Sequence, residues 1–171
     1  MNVRAVDIAD RSALVGVAVR TGLFSQDEAE LLLGGVLDQL IRGSLPPGHA
    51  ALACRDAAGE HVIGWTYFAP DQHADGVWNV WWLGVVPEAL GTGAGALLLR
   101  AAEASALSGG ARIVVVETSS KDSTARARRF YWKEGYAECG VVPDFYGVGD
   151  HKVIFSRQPR ETEPSDGAES R

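Results

Sequence analysis

The sequence predicts an α/β protein with a mixed, mostly antiparallel central sheet of about seven strands, flanked by about four helices. Three observations support this prediction. Segments rich in β-branched and aromatic residues alternate with amphipathic segments along the chain. Glycine and proline turns separate neighbouring segments. A glycine-rich turn joins a tryptophan-rich segment, which is typical of a strand, to a leucine- and alanine-rich segment that is typical of a helix.

The first part of the chain predicts one strand and two helices. Residues 2–7 are typical of a short strand, and helices are expected over residues 9–19 and 25–40. The second helix begins with Ser25 and has Glu28 three residues later, which is the spacing of a capping box. A Pro-Pro-Gly turn follows and ends this region.

The middle of the chain predicts three strands and a helix. Residues 50–55 and 61–69 flank a polar turn, which indicates a β-hairpin. Residues 76–86 are rich in tryptophan and valine and suit a long central strand. The glycine-rich turn then leads into a helix that ends near Ser108, before a Gly-Gly pair.

The last part of the chain predicts a strand, a helix and two further strands. The strand over residues 112–117 is mostly apolar, as expected when both faces of a sheet are covered. A helix is expected over residues 122–134, and strands over 136–142 and 152–156. The segment PDFYGVGD between these two strands is interpreted as a turn.

Length and composition predict one domain over residues 1–157 and a disordered polar tail over residues 158–171. There is no apolar run long enough to span a bilayer and no secretion signal at the N-terminus, so we expect a cytoplasmic protein without a membrane partner. The two cysteines and four histidines have no metal-ligand spacing, and no metal site is predicted. A formal net charge of -6 argues against nucleic-acid binding and favours cationic ligands.

The glycine-rich turn predicts an anion site. Gly91, Gly93 and Gly95 precede a helix, whose N-terminal N–H groups and partial positive charge suit a phosphate. Close packing of the helix on the sheet is an alternative explanation for these small residues. A dinucleotide fingerprint, GxGxxA, is another, with Glu117 as the ribose-binding acid. Four residues separate the strand from the first glycine, however, and roughly 60 ordered residues follow, which disfavours the dinucleotide fold.

Two motifs and a closing segment carry a family resemblance. The first is Val85-Val86-Pro87 followed by Leu90-Gly91-Thr92-Gly93-Ala94-Gly95. The second consists of Thr124, Ala127, Phe130-Tyr131 and Gly135-Tyr136. The closing segment is Asp144-Phe145-Tyr146 with Gly149-Asp150. Together they resemble the GNAT superfamily of acyl-CoA-dependent N-acyltransferases, although Leu90 stands where Gln or Arg is usual and Thr124 where Asn is usual.

The resemblance implies an acetyltransferase that uses acetyl-CoA as co-substrate and a small-molecule or peptide amine as acceptor. A non-catalytic acyl-CoA-binding module is the alternative, and a homodimer is open for either. The implied cofactor-binding residues supply mainly backbone N–H groups: Leu83, Gly84, Val85, Leu90, Gly91, Thr92, Gly93, Ala94, Gly95, Ala96 and Thr124.

The resemblance also implies the catalytic residues. Tyr131 is expected to act as general acid, since a phenol with a pKa of about 10 can protonate a departing thiolate. Plain helix packing is the alternative for its ring. Glu117 is expected to act as general base at the end of a buried strand, and a purely structural salt-bridged acid is the alternative.

The acceptor site is predicted on the strand and the first helix pair. Strand alternation places Asn79 and Trp81 on one face with Leu83 and Val85. The resemblance implies an acceptor pocket at the first helix pair, where Phe24 and Glu28 are candidates. The acidic residues of the late hairpin are interpreted as turn residues.

Overall fold

A computed structural model describes residues 1–159. The strands are β1 (Asn2–Ala5), β2 (Ala50–Arg55), β3 (Val62–Pro70), β4 (Val77–Val85), β5 (Ile113–Ser119), β6 (Ala137–Gly147) and β7 (Asp150–Arg157). Helix α1 spans Arg11–Arg20, α3 spans Ala94–Ser108 and α4 spans Ala125–Lys133. Helix α2 comprises three consecutive segments, Gln26–Ala29, Glu30–Gly34 and Gly35–Ile41. The predicted domain lies within the described residues, whereas all but the first two residues of the predicted tail lie outside them.

The strands form one sheet in the order β1-β2-β3-β4-β5-β7-β6. The β4–β5 pair is parallel, and the other five pairs are antiparallel. The predicted fold class is therefore confirmed, and the order of strands and helices along the chain is the predicted one. The parallel β4–β5 pair matters most for function, because the carboxyl ends of both strands lie at the same edge of the sheet.

Two of the local predictions can be compared with the structure directly. The capping box is present: the Glu28 N–H donates to Ser25 Oγ at 3.3 Å, and the Ser25 N–H donates to the Glu28 carboxylate at 2.8 Å. The turn interpretation of PDFYGVGD is wrong for its first half, because β6 continues to Gly147. Gly147 pairs with Asp150 of β7, and within the irregular stretch before it the Asp144 N–H donates to His151 Nδ1 of β7 at 2.9 Å.

Buried side chains form two clusters, one mainly under α1 and α2 that also includes Ala94 and Leu98 of α3, and one under α3 and α4. The first joins α1 and α2 to β2, β3 and β4, with Leu14, Leu37 and Trp65 at its centre. The second joins α3 and α4 to strands β3, β4, β5 and β7, and includes Leu99 and Phe155. Helices therefore cover both faces of the sheet around β4. Among residues 1–159, no helix is both long and apolar enough to cross a membrane.

A β-bulge interrupts β4 at Trp81. Two successive residues of β3, Tyr67 and Phe68, pair with Trp82 and Val80, so Trp81 has no partner across the strands. The extra residue changes which face of the sheet the following side chains occupy.

The bulge overturns one prediction about the acceptor site. Asn79 pairs with Ala69, whereas Leu83 pairs with Thr66. Ala69 and Thr66 are three residues apart on β3 and therefore point to opposite faces. The expectation that Asn79 shares a face with Leu83 and Val85 is wrong, because it assumed uninterrupted alternation along β4.

Candidate active site

A gap opens between β4 and β5 directly after the bulge. The two strands pair from Val77 and Ile113 as far as Val80 and Val116. Beyond these residues β4 runs on to Val85 and β5 to Ser119 without pairing to each other. The carboxyl-terminal halves of both strands therefore leave backbone groups unpaired on the sides that face the gap.

The backbone of β4 presents Leu83 and Val85 to this gap. The Val86 N–H donates to Ile63 O of β3 at 2.9 Å, and Trp82 O accepts from the Thr66 hydroxyl at 2.7 Å. Backbone groups alternate in direction along a strand. The N–H groups of Leu83 and Val85 therefore point away from β3 and into the gap.

Gly84, by the same alternation, directs its N–H towards β3, so this N–H is not available in the gap, and a cofactor contact from Gly84 stays a prediction. A different requirement explains the glycine. A Cβ atom at this position would lie 2.4 Å from Cζ2 of Trp82. The absence of a side chain allows the Trp82 indole to lie over the strand.

The glycine-rich turn presents a row of free N–H groups at the start of α3. Gly91 and Gly93 have φ angles of 80° and 93°, in the left-handed region, and a Cβ atom at either would meet open space. Gly93 is the N-cap and offers no side-chain cap. Within residues 1–159 no protein acceptor binds the N–H groups of Gly91, Gly93, Ala94, Gly95 or Ala96. Five free donors at the positive end of a 15-residue helix form an anion site.

Two other residues that were predicted to bind the cofactor already form hydrogen bonds within the protein. The Leu90 N–H donates to Pro87 O at 3.2 Å, and the Thr92 hydroxyl donates to Ala89 O at 2.7 Å. Leu90 and Thr92 therefore stabilise the conformation of the turn.

Thr124 is also engaged. Its hydroxyl donates to Ser119 O at 2.7 Å and accepts from Arg128 Nη1 at 2.9 Å. These contacts fasten the start of α4 to the end of β5, and cofactor binding by Thr124 stays a prediction.

Tyr131 lies on α4 and is 7% exposed. Its ring packs against Phe130, Tyr136 and Phe155, with ring centroids 5.4–5.9 Å apart. Within the described residues its hydroxyl has no hydrogen-bond partner, and the one fully buried side-chain atom without a partner is Nε1 of Trp82. The Tyr131 hydroxyl is therefore not fully buried. Burial of the ring raises the pKa of Tyr131 to about 12.

Glu117 follows the last residue of β5 that pairs with β4. Its Oε2 lies 2.7 Å from Nζ of Lys152, which also lies 3.6 Å from the centre of the Phe145 ring. The structure therefore contains the ion pair that the sequence analysis kept as an alternative. Lys152 was not foreseen, because it lies 35 residues further along the chain and no local spacing connects the two.

The family model described as the acetyltransferase (GNAT) family matches residues 22–136. The chain belongs to the GNAT family. No protein with a curated description matches it. The crystal structure of an acetyltransferase assigned to the GNAT family from Desulfovibrio desulfuricans is 25% identical, with a TM-score of 0.83 over 93% of this chain and 99% of that one.

Two further structures of GNAT-like fold are more distant in sequence. An aminoglycoside 6'-N-acetyltransferase complexed with coenzyme A is 16% identical, with a TM-score of 0.73 over 96% of this chain and 100% of that one. A ribosomal-protein-alanine N-acetyltransferase from Brucella melitensis is 15% identical, with a TM-score of 0.72 over 92% and 99% of the two chains. They show that the fold is shared.

Tyr131 and Glu117 lie on opposite faces of this GNAT sheet. Val116 pairs with Phe155, which packs against Tyr131 on the side of α3 and α4. Glu117 is the next residue and pairs with Ile154, so its side chain points to the side of α1 and α2. The gap between β4 and β5 lies between the two groups.

The predicted acceptor residues of this GNAT protein are only partly brought together. Phe24 lies in the connection between α1 and α2, with its ring 5.5 Å from that of Trp82. Asn79 is buried and donates to Asp71 at 3.1 Å, and Trp81 is 55% exposed at the bulge. The Glu28 carboxylate is occupied by the capping box.

Asp150, interpreted as a turn residue, is buried at the start of β7. Ser119 and Lys121 bind its carboxylate, and the hydrogen bond from Ser119, which outweighs burial, holds the pKa of Asp150 below its usual range. This contact anchors the end of β5 beside the gap. Within residues 1–159, no group of three or more His, Cys, Asp or Glu side chains could hold a metal ion.

Proposed function

We propose that this protein transfers an acetyl group from acetyl-CoA to a primary amine, by direct attack in a ternary complex. The observation that carries the proposal is the gap between β4 and β5. It has unpaired backbone donors on one wall, a row of free N–H groups at the start of the next helix, a phenol on one face and a carboxylate on the other. Each of these features meets one requirement of acyl transfer.

The free N–H groups from Gly91 to Ala96 fit a pyrophosphate, which would enter from the side of α3 and α4. The N–H groups of Leu83 and Val85 fit the thioester carbonyl oxygen, where negative charge develops during attack. Acetyl-CoA supplies the activated acyl group. The protein contributes alignment, which can lower the barrier by roughly 7–11 kcal/mol in favourable cases.

The acid and the base act on opposite sides of the reacting carbon. The amine nitrogen forms a bond to the acyl carbon while the carbon–sulfur bond breaks. Glu117 accepts the proton that the amine loses, directly or through water, on the side of α1 and α2. Tyr131 donates its hydroxyl proton to the departing sulfur on the side of α3 and α4. The products are an N-acetylated amine and coenzyme A.

The ion pair with Lys152 engages Oε2 of Glu117 and leaves Oε1 to accept a proton. Lys152 lies beside the carboxylate and is itself mostly shielded by the Phe145 ring, so it fixes the orientation of the carboxylate at the edge of the gap. The acceptor class supported here is a primary amine, on a small molecule or a peptide. A cytoplasmic location and a homodimer stay predictions.

A second candidate function is acyl-CoA binding without transfer. The observation that favours it is the internal use of the Leu90 N–H and the Thr124 hydroxyl, which removes two of the expected ligand contacts. A module of this kind would keep the anion site and the gap and would not need Tyr131 or Glu117.

Calorimetry with acetyl-CoA, followed by a free-thiol release assay across a panel of primary amines, tests the proposal. Saturable binding together with amine-dependent thiol release is the expected result. Binding without release for every amine would favour the second candidate function. The absence of acetyl-CoA binding by the folded protein would contradict both.

A further inference from the structure

The indole N–H of Trp82 is an unusual hydrogen-bond donor. Its Nε1 is the one fully buried side-chain nitrogen or oxygen among residues 1–159 that has no hydrogen-bond partner. The neighbouring Trp65 is also buried, but its Nε1 donates to Leu14 O at 2.8 Å. Buried donors are nearly always paired, because an unpaired one loses the hydrogen bonds that it makes to water. The Trp82 N–H therefore needs a hydrogen-bond acceptor from outside the chain.

The position of Trp82 connects this donor to the gap. Its indole lies over Gly84, between the two residues whose N–H groups point into the gap. Trp82 pairs with Tyr67 and thus belongs to the face covered by α1 and α2, which is also the face of Glu117. The indole accordingly lies on the side from which the acceptor amine would approach.

Phe24 is the aromatic neighbour of the indole that lies outside the helices and strands. The rings of Phe24 and Trp65 both contact the indole, at centroid separations of 5.5 and 5.6 Å. Trp65 is fixed in β3, whereas Phe24 belongs to the connection over residues 21–25, which is outside the helices. Displacement of the Phe24 side chain would expose the indole without breaking a helix or a strand.

We infer that the Trp82 indole N–H binds an oxygen of the acceptor, and that the acceptor is an amine with a carbonyl or hydroxyl oxygen close to its nitrogen. The inference rests on the proposed function. An indole N–H only donates, so its partner must offer a lone pair. The attacking nitrogen needs its own lone pair for the acyl carbon. The partner is therefore a second, oxygen-containing group of the same molecule.

Three amines that differ in this group provide the test. L-Leucinamide carries a carbonyl oxygen, L-leucinol carries a hydroxyl, and 4-methylpentan-2-amine of the same configuration has the carbon skeleton of leucinol without an oxygen. For each amine, kcat/KM of Trp82→Phe is divided by that of the parent protein, so that the different basicities of the amines cancel. We expect a fall of about tenfold or more for the amide, the alcohol or both, and less than about twofold for the alkylamine.

Trp65→Phe is the matched control. It removes an indole N–H that already has a protein partner, so it should lower the melting temperature and leave the preference among the amines unchanged. Both variants lose the same ring volume, but Trp82→Phe removes a donor without a partner, so its melting temperature should fall less than that of Trp65→Phe. A structural effect of Trp82 would instead lower kcat/KM equally for all three amines.

An equal effect of Trp82→Phe on all three amines would overturn the inference. The indole N–H signal of Trp82 in a ¹H–¹⁵N spectrum, assigned by its loss in Trp82→Phe, gives a readout that needs no turnover. It should shift when leucinamide or leucinol is added with coenzyme A, and a signal that moves with neither also overturns the inference. Failure of the proposed function is distinct: no amine would then release thiol from acetyl-CoA.

Discussion

Burial of the Tyr131 ring determines how its hydroxyl can act. With a pKa of about 12, the phenol keeps its proton at every pH at which amine acetylation is normally measured. A thiol has a pKa of about 8.5, so full proton transfer from this phenol to a thiolate is uphill, and the hydroxyl assists mainly by a hydrogen bond to the sulfur as its charge develops. Tyr131 should therefore introduce no loss of activity between about pH 6 and 9.

Tyr131→Phe should lower kcat by about 100-fold, at the lower end of the range for general acid catalysis, because a thiolate is already a fair leaving group. The dissociation constant of acetyl-CoA should change by less than about twofold, since phenylalanine preserves the packing. Tyr136→Phe is the control: it removes a hydroxyl that donates to Glu103 at 2.8 Å and should affect stability more than turnover. If chemistry limits turnover and Tyr131→Phe stays within twofold of the parent, Tyr131 is a packing residue.

Glu117→Gln should lower kcat/KM at neutral pH by about 100-fold, because an amide cannot accept the proton of the amine. The deficit should narrow as the pH rises, since more of the amine is then already neutral. A pH series of initial rates measures both effects. Lys152→Met removes the ion pair and keeps the Glu117 carboxylate. The comparison of the two variants therefore distinguishes a general base from a structural ion-pair partner. If both variants lose the same stability and Glu117→Gln keeps the turnover of the parent protein, Glu117 has only a structural role.

At the scale of elements, the start of α3 governs cofactor binding. Gly93 has a φ of 93°, so any side chain there would strain the turn. Gly95 has no such requirement, and a Cβ atom there would lie 3.6 Å from the Phe130 ring, an ordinary contact. Gly95 is therefore the position at which charge can be added with the least disturbance of the turn.

Gly95→Glu should weaken acetyl-CoA binding by about 100-fold or more, because a carboxylate would repel the phosphates at the helix start. The fold should persist, since an acidic residue in the first turn stabilises a helix by about 0.3–1 kcal/mol. Calorimetry and thermal melting measure the two effects. Gly95→Gln controls for size without charge and should retain more affinity. Unchanged affinity in a folded Gly95→Glu variant would place the anion site elsewhere.

At the scale of the whole molecule, a buried charge cluster fastens the N-terminal strand to the sheet. Asp10 is 1% exposed and binds Arg4 of β1 at 2.7 Å and Arg55 of β2 at 3.0 Å. Burial raises the pKa of Asp10, but the hydrogen bonds from Arg4, Arg55 and the Asp7 N–H together outweigh it, so the net pKa is below the usual value.

The stabilisation from a lowered carboxyl pKa is present above the unfolded value of about 3.9 and is lost as the pH falls through the folded value. Asp10→Asn should therefore lower the free energy of unfolding by about 3 kcal/mol at neutral pH, because it leaves two arginines without their partner. Its melting temperature should fall less steeply below about pH 4 than that of the parent. Arg20→Gln, in the exposed pair with Glu88, is the control and should have little effect. A comparably small loss in Asp10→Asn would contradict the assigned role of the cluster.

The sequence by itself determined the features that depend on neighbouring residues. The capping box at Ser25 and a helix start at the glycine-rich turn follow from local backbone chemistry, and the predicted order of strands and helices follows from periodicity. The GNAT family also followed from motifs that are contiguous in the chain. Each of these signals lies within a few residues or one element, so no knowledge of distant contacts was needed.

Only the tertiary structure decided how the faces of the gap are arranged. The bulge at Trp81 lies where the pairing of β4 with β5 ends, and no pattern within β4 records it. That single extra residue places Asn79 on the face of Trp82, opposite Leu83 and Val85. The partnership of Glu117 with Lys152 and the free indole N–H of Trp82 depend on contacts between segments far apart in the chain. Residue types and spacings could not specify them, because they arise from how the strands and helices pack.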